Sequence, residues 1–242
     1  WNGGKQLKVS EGGWTTLSPS ALTFNPEDSI PQALDAAGIN KIISDFKTAA
    51  RRALQAGYKV IEIHAAHGYL IHQFLSPLSN LRTDNYGGSF ENRVRLLLEI
   101  VKGIQSEWPQ NLPLFVRISV TDWAEGGWDI PEAVKLCSLL KELGVDLIDC
   151  SSGGLVPYAK IPLAPGYQVE FAERIKKETG ILTGAVGLIT EAEQAEDILV
   201  KGKADLVLIA RASLRDPHFA LHAAKQLGDD MTWPSQYLRA KI

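Results

Sequence analysis

Two imidazoles and a phenol, His64, His67 and Tyr69, fall within six residues of one another in the stretch IEIHAAHGYLIHQFLSPLSNLRTDNYGGSFENR, residues 61–93. The two histidines close a run of apolar residues, and Tyr69 follows two positions on. Imidazole N–H groups can hold a carbonyl oxygen, and a phenol can give a proton to a neighbouring carbon once that carbon is activated. The competing reading is structural: His64 and His67 could cap a strand end by bonding loop carbonyls. His72 reads as a residue near a helix start that serves structure. His-x-x-His with a third histidine nearby could also begin a zinc site and a metal-dependent hydrolase. The other strand ends offer Arg117, Ser151 and Arg211, and cations beside a metal carry the wrong sign, so no metal is expected.

A second group lies toward the C-terminus. Gly184-Ala185-Val186-Gly187 and Ala210-Arg211 combine small residues, which let backbone N–H groups approach an anion, with a guanidinium able to fork onto its oxygens. Tight turn packing with a surface arginine is the alternative. Arg117 sits among Leu114, Phe115, Val116 and Ile118, so it points inward or at the mouth of the fold. There it pairs with Asp122 or Asp149, or stabilises negative charge on a bound ring. Cys150 and Cys137 read as packed thiols. The six Trp are scattered, which speaks against a stacking platform for bases, and the loop at residues 84–88 has no function legible from its pattern.

These residues need a frame, and from residue 39 the sequence supplies one: amphipathic helix, Gly stop, short apolar strand. Strands are expected at 58–63, 114–119, 145–150, 181–186 and 204–209, and helices include 39–54, 133–144 and 190–202, the last opened by a Thr190/Glu193 capping box. Continuous apolar strands between helices mean a parallel sheet covered on both faces. No Gly-rich dinucleotide fingerprint accompanies them, so an α/β barrel is favoured over an open doubly wound sheet, with chemistry at the C-terminal strand ends. Those ends are His64 and His67, Arg117 and Ser119, residues 151–154, 184–187, and 210–211. A (β/α)8 TIM barrel needs eight units. Five are legible, and residues 1–38 form a loop-rich lead-in with Gly3-Gly4, Gly12-Gly13, Pro26 and Pro31. Phosphate sites follow strands seven and eight of such barrels, which makes these strands four to eight. Residues 1–242 are thus read as a single domain, an incomplete barrel lacking roughly 90 residues. The opening residue, Trp1 rather than Met, fits an upstream segment that was removed.

The 242 residues carry 45% hydrophobic and 22% charged positions and a net charge of −3. This is globular composition, with no basic stripe to draw nucleic acid or a membrane surface. Two cysteines build no disulfide framework. With no signal peptide and no apolar run near the roughly 20 residues that span a bilayer, the expected location is cytoplasmic.

The chain also resembles a known family. HAAHGYLIHQFLSPLSN followed by RTDNYGGSFENR, then FVRIS, LIDCSSG, TGAVG and ARASLRDP, closely resembles the Old Yellow Enzyme family of flavin-dependent ene-reductases, in order from about Leu17 onward. The bacterial thermophilic-like branch is nearest. The resemblance implies an NAD(P)H-dependent FMN enzyme, with NADPH or NADH as reductant, that reduces enones, maleimides or nitroalkenes. His64 and His67 would hold the substrate oxygen and Tyr69 would protonate the α-carbon. Arg117 would lie along the flavin's N1 and O2 edge. Gly187, Ala210 and Arg211 would hold the FMN phosphate, with Ala185, Ser152 and Gly153 nearby. Gln236-Tyr237-Leu238-Arg239 resembles that branch's terminus, whose arginine enters a neighbouring subunit's site, implying a homo-oligomer. Ala210 departs from the family's usual Gly, and a methyl fits there if φ stays negative. Two cysteines cannot supply the four thiolates of the iron–sulfur cluster carried by larger relatives. Because the family's first three strands carry further flavin contacts, the chain is expected neither to fold fully nor to bind FMN until an N-terminal segment or partner fragment supplies them. A flavin-less half-barrel active only on complementation is the alternative function.

Overall fold

The computed structural model describes Gly3 and residues 6–241; Trp1 and Gly4 lie outside them. The lead-in holds a short 3-10 turn, Val9–Glu11, and two parallel two-residue strands, β1 (Leu17–Ser18) and β2 (Gln32–Ala33). It is therefore not entirely loop. α1 (Ala36–Gln55) begins three residues before the expected helix because Asp35 caps it, accepting from the Gly38 N–H at 2.7 Å.

Then the βα cadence runs through β3 (Ile61–Ala65), α2 (Leu70–Leu75), α3 (Phe90–Gln105), β4 (Leu114–Ser119), α4 (Ile130–Glu142), β5 (Leu147–Ser151), α5 (Val169–Thr179), β6 (Leu182–Val186), α6 (Ala192–Val200), β7 (Leu206–Leu208), α7 (Arg211–Arg215) and α8 (Phe219–Gln226). The five main strands pair in parallel in the order β3-β4-β5-β6-β7. A doubly wound sheet reverses its strand order at a switch point; a strictly sequential order is the wall of a barrel. The Thr190/Glu193 capping box does not form. Glu191 is the N-cap, and the Thr190 N–H donates instead to Gln194 Oε1 at 3.1 Å.

Strand registry sorts the side chains into two faces. Ala65, Ile118, Cys150, Ala185 and Val207 lie side by side along one row and face the helical layer, where Leu96, Leu97, Ile100, Leu136 and Leu140 are fully buried. Each such side chain contributes about 1.5–3 kcal/mol through burial. The opposite row runs His64, Arg117, Asp149, Gly184, Leu206. β3 thereby departs from the expected fully buried strand, since Glu62 and His64 are exposed. These positions alternate onto the concave side, which no further strand covers among the described residues.

The 82–93 motif proves architectural. Arg82 Nη1 donates to the Pro19 and Leu34 carbonyls, tying the lead-in to the barrel wall. Asn80 Nδ2 bridges the Phe74 and Tyr86 carbonyls, each at 2.7 Å. Buried Arg93 donates to the Leu75 carbonyl and forks onto Glu132 while lying over the Trp128 ring at 5.8 Å, locking α2, α3 and α4 together.

Candidate active site

The end of β3 projects the histidine pair into the mouth of the wall. The His64 ring lies 5.2 Å from that of His67 and 5.4 Å from that of Tyr69, measured between centroids, so the three groups read from sequence form one cluster. His67 sits at φ +57, a conformation uncommon outside glycine, and it is fixed there from several sides. Its backbone N–H donates to Ser119 Oγ at 3.0 Å, and that hydroxyl donates in turn to the Gly153 carbonyl at 2.8 Å. Its Nε2 lies 2.6 Å from Ser151 Oγ. Next to it Gly68 (φ +73) and Gly154 (φ +90) pass backbone against backbone. A Cβ on Gly68 would lie 2.1 Å from the Gly154 carbonyl oxygen, and one on Gly154 would lie 2.7 Å from His67 Cα.

Burial and nearby positive charge favour the neutral form of both imidazoles. Burial lowers the His67 pKa to about 4, helped by the positive charge of Arg117 and by the neighbouring histidines. Burial, then Arg117, then His72 lower that of His64. Neutral rings can donate a hydrogen bond to an oxygen but are poor acids, which leaves the exposed Tyr69 hydroxyl as the proton donor the trio offers.

Arg117 takes Asp149, not Asp122, as its partner, with Nε to Oδ2 at 3.1 Å. The contact is an attraction of charges rather than an aligned hydrogen bond, because Arg117 Nε and both Asp149 carboxylate oxygens lack a hydrogen-bond partner. Burial therefore outweighs the guanidinium and pushes Asp149 up to about 7, and the Glu62 carboxylate adds to the rise. Glu62 is itself raised by burial against the opposing pull of Arg117. A half-buried cation facing an opening, its buried Nε without a hydrogen-bond partner, is suited to an anionic or electron-rich occupant.

Beside it lies a cavity of about 290 Å³ whose wall includes Arg117, Ser151, Gln168, Gly187, Ala210, Arg211 and Arg215. Gly187 adopts φ +123, and a Cβ there would stand 2.8 Å from Gln168 Nε2 and 3.0 Å from the Tyr167 ring, so only glycine permits this bend. Ala210 keeps φ at −107, where its methyl is unstrained. Three expected residues fall elsewhere. Ala185 is fully buried on the helical side of β6. Ser152 Oγ donates to Gln168 Oε1 at 2.5 Å, and Gly153 spends its N–H on the Thr121 carbonyl and its C=O on Ser119. None of the three lines the cavity; strand alternation turns Ala185 outward, and protein partners satisfy the other two. Arg239 lies exposed on a 3-10 segment, Ser235–Ala240, and is not part of the cavity wall. Sequence reading overlooked Tyr167, Gln168 and Arg215. The first two precede α5 in a long loop without periodicity to flag them.

Among the described residues, no group of three or more His, Cys, Asp or Glu could hold a metal ion, and no helix is long and apolar enough to cross a membrane.

A sequential parallel sheet with polar groups gathered beyond its strand ends is the arrangement found at the active face of βα barrels; the groups here are two imidazoles, a phenol and an arginine-lined cavity. The model of the NADH:flavin oxidoreductase / NADH oxidase family matches residues 1–230. The NADPH dehydrogenase of Bacillus subtilis (strain 168) is 52% identical over 223 residues, 92% of this chain and 65% of the relative. That of Listeria monocytogenes serotype 4b (strain CLIP80459) is 50% identical over 224 residues, 93% of this chain and 65% of the relative. Among solved structures, morphinone reductase superposes with a TM-score of 0.74 at 28% identity, covering 94% of this chain and 63% of its own. A 2-naphthoyl-CoA reductase complex gives 0.82 at 30% identity, covering 90% and 34%. The chain belongs to the NADH:flavin oxidoreductase / NADH oxidase family. It spans about 65% of the length of the curated relatives it matches.

Proposed function

We propose that this protein is an FMN-dependent ene-reductase that draws hydride from NADPH or NADH and saturates activated alkenes such as enones, maleimides and nitroalkenes. The observation that carries the reading is the juxtaposition of two imidazoles and a phenol, with the His67 and Tyr69 rings 5.2 and 5.4 Å from that of His64, at the end of the strand next to that of Arg117, which lines the arginine-rich cavity. The residues fit FMN. Gly187 leaves a bend that a Cβ would fill, Arg211 and Arg215 supply positive charge at the cavity wall, and Arg117 Nε is buried without a hydrogen-bond partner. Gly187, Ala210 and Arg211 would hold the phosphate end, and Arg117 the ring's electron-rich edge. When bound, FMN supplies hydride exchange between the nicotinamide and the alkene.

The chain's own residues then have three tasks. His64 and His67, neutral at pH 7, each donate to the carbonyl or nitro oxygen, drawing electron density from the alkene and stabilising negative charge that builds on that oxygen. Ser151 holds one ring nitrogen of His67 and so orients the other. The Tyr69 hydroxyl gives its proton to the carbon α to the activating group, completing the addition of two hydrogens across C=C. β3 and β7 remain the outer strands of the five-stranded sheet, and we infer that three further βα units, from polypeptide outside these 242 residues, close the barrel and complete the flavin site. Exposed Arg239 is free to reach the site of a second copy in a homo-oligomer.

Stopped-flow comparison of the half-reactions tests the assignment. Tyr69→Phe should slow alkene reduction by about 100-fold, the scale of general acid catalysis, while nicotinamide reduces the flavin at nearly the original rate. Equal losses in both halves would remove Tyr69 as the proton donor.

A further inference from the structure

Two of the three residues that touch substrate in this reading, His67 and Tyr69, are joined by one turn, His67-Gly68-Tyr69, and both peptide groups flanking Gly68 are held by the helix that follows. The Gly68 N–H donates to His72 Nδ1 at 2.9 Å, and the Gly68 carbonyl accepts from Gln73 Nε2 at 2.7 Å. Accepting at Nδ1 requires that nitrogen to be unprotonated, so His72 carries its proton on Nε2. That proton points at Asp122 Oδ1, 2.8 Å away, with both side chains fully buried. Asp122 is anchored in turn. Its Oδ2 accepts from Ser76 Oγ at 2.6 Å and from the Trp128 N–H at 2.7 Å, and its own N–H donates to the Trp128 carbonyl at 2.9 Å.

A buried carboxylate that fixes the tautomer of a histidine is a known way of orienting a functional ring. Here the ring itself faces a backbone amide rather than a ligand. Its chemistry is spent on the conformation of a glycine between two reactive residues. Simple strand-to-helix packing would not need a satisfied polar chain from the β4–α4 loop, through the core, to this one peptide.

We propose that His72, set by Asp122, and Gln73 are positioning residues that fix the His67-Gly68-Tyr69 turn, and through it the placement of the imidazole and the phenol. The inference rests on the ene-reductase reading of that turn. It predicts a separation that bulk stability would not show. An Asn at position 72 places its carbonyl oxygen the same number of bonds from Cα as Nδ1, so His72→Asn keeps an acceptor for the Gly68 N–H and abandons Asp122. A Gln places its amide nitrogen where Nε2 stood, so His72→Gln keeps a donor to Asp122 and abandons Gly68.

The experiment titrates phenol, which mimics the enolate oxygen, into the flavin-loaded barrel and follows the flavin absorbance, with melting temperature recorded in parallel. His72→Gln and Gln73→Leu should each weaken phenol binding on the order of tenfold, equivalent to a lost hydrogen bond near 1.4 kcal/mol. His72→Asn should stay within about threefold of the original, although stranding Asp122 makes it the less stable of the two position-72 variants. Phenol affinity that falls in step with melting temperature across the three variants would overturn the inference and leave the ene-reductase reading in place. An unsubstituted protein that binds no phenol would overturn both. Should His72→Gln fail to fold, Gln73→Leu carries the same test, since Gln73 is only half-buried.

Discussion

The contact between Gly68 and Gly154 is where backbone geometry and chemistry meet, and a single methyl probes it. Gly154→Ala places Cβ 2.7 Å from His67 Cα and 2.8 Å from its carbonyl carbon, at φ +90. Two costs add. A non-glycine residue in the left-handed region costs about 1–2 kcal/mol, and forcing a methyl against fixed backbone costs about 1–3 kcal/mol. The total is about 2–5 kcal/mol. Gly57 supplies a matched control: its φ is +88, and an added Cβ there meets nothing within 4 Å, so Gly57→Ala carries only the first cost. Urea unfolding of both variants at one fixed flavin concentration, which holds ligand linkage constant, isolates the contact as the difference between them. That difference should be about 1–3 kcal/mol, and Gly154→Ala alone should also weaken phenol binding, because relief of the clash moves His67. Equal destabilisation by the two substitutions would show that the glycine pair is not a close approach and refute the reasoning.

The remaining perturbations act on charge. Asp149 is raised in the folded state to about 7, against about 3.9 for an unperturbed carboxyl. Between those values the folded state holds the extra proton, so stability from this group is present at low pH and is lost as pH rises to about 7. Asp149→Asn should therefore gain stability relative to the original protein at pH 8 compared with pH 5 in urea titrations; an identical difference at the two pH values would contradict the raised pKa. Arg211→Gln should weaken FMN binding roughly 10- to 100-fold, the worth of a charge-assisted hydrogen bond of about 1.5–3 kcal/mol. Unchanged affinity by fluorescence titration would move the phosphate away from β7.

The barrel wall was legible because parallel strands buried against helices are written as apolar runs, and all five appear within a few residues of their expected positions. β3 shows where that logic stops. Glu62 and His64 interrupt the run on the concave side, and a pattern of residue types does not say which side has a second wall. His64, His67 and Tyr69 were legible because three reactive groups at a strand end stand out from their neighbours. The orientation of Ala185 was not legible because a four-residue Gly-rich string does not reveal which of its members turn outward, whereas registry with Cys150 and Val207 does. Asp122 offers the sharper lesson. It stood in the sequence as a possible mate for Arg117 five residues away, yet it serves His72, 50 residues away, a pairing that only the fold creates. The loop at residues 84–88 resisted a functional reading for a related reason: Arg82 and Arg93, which flank it, spend their donors on carbonyls of segments remote in sequence.

The most direct test of the ene-reductase reading is an anaerobic visible spectrum of the protein with its barrel closed, taken alongside an intact mass that identifies every polypeptide present. The account predicts an oxidised-flavin spectrum that NADPH or NADH bleaches and that an enone restores stoichiometrically. A closed barrel that takes up no FMN, or a reduced flavin that an enone leaves bleached, would contradict it.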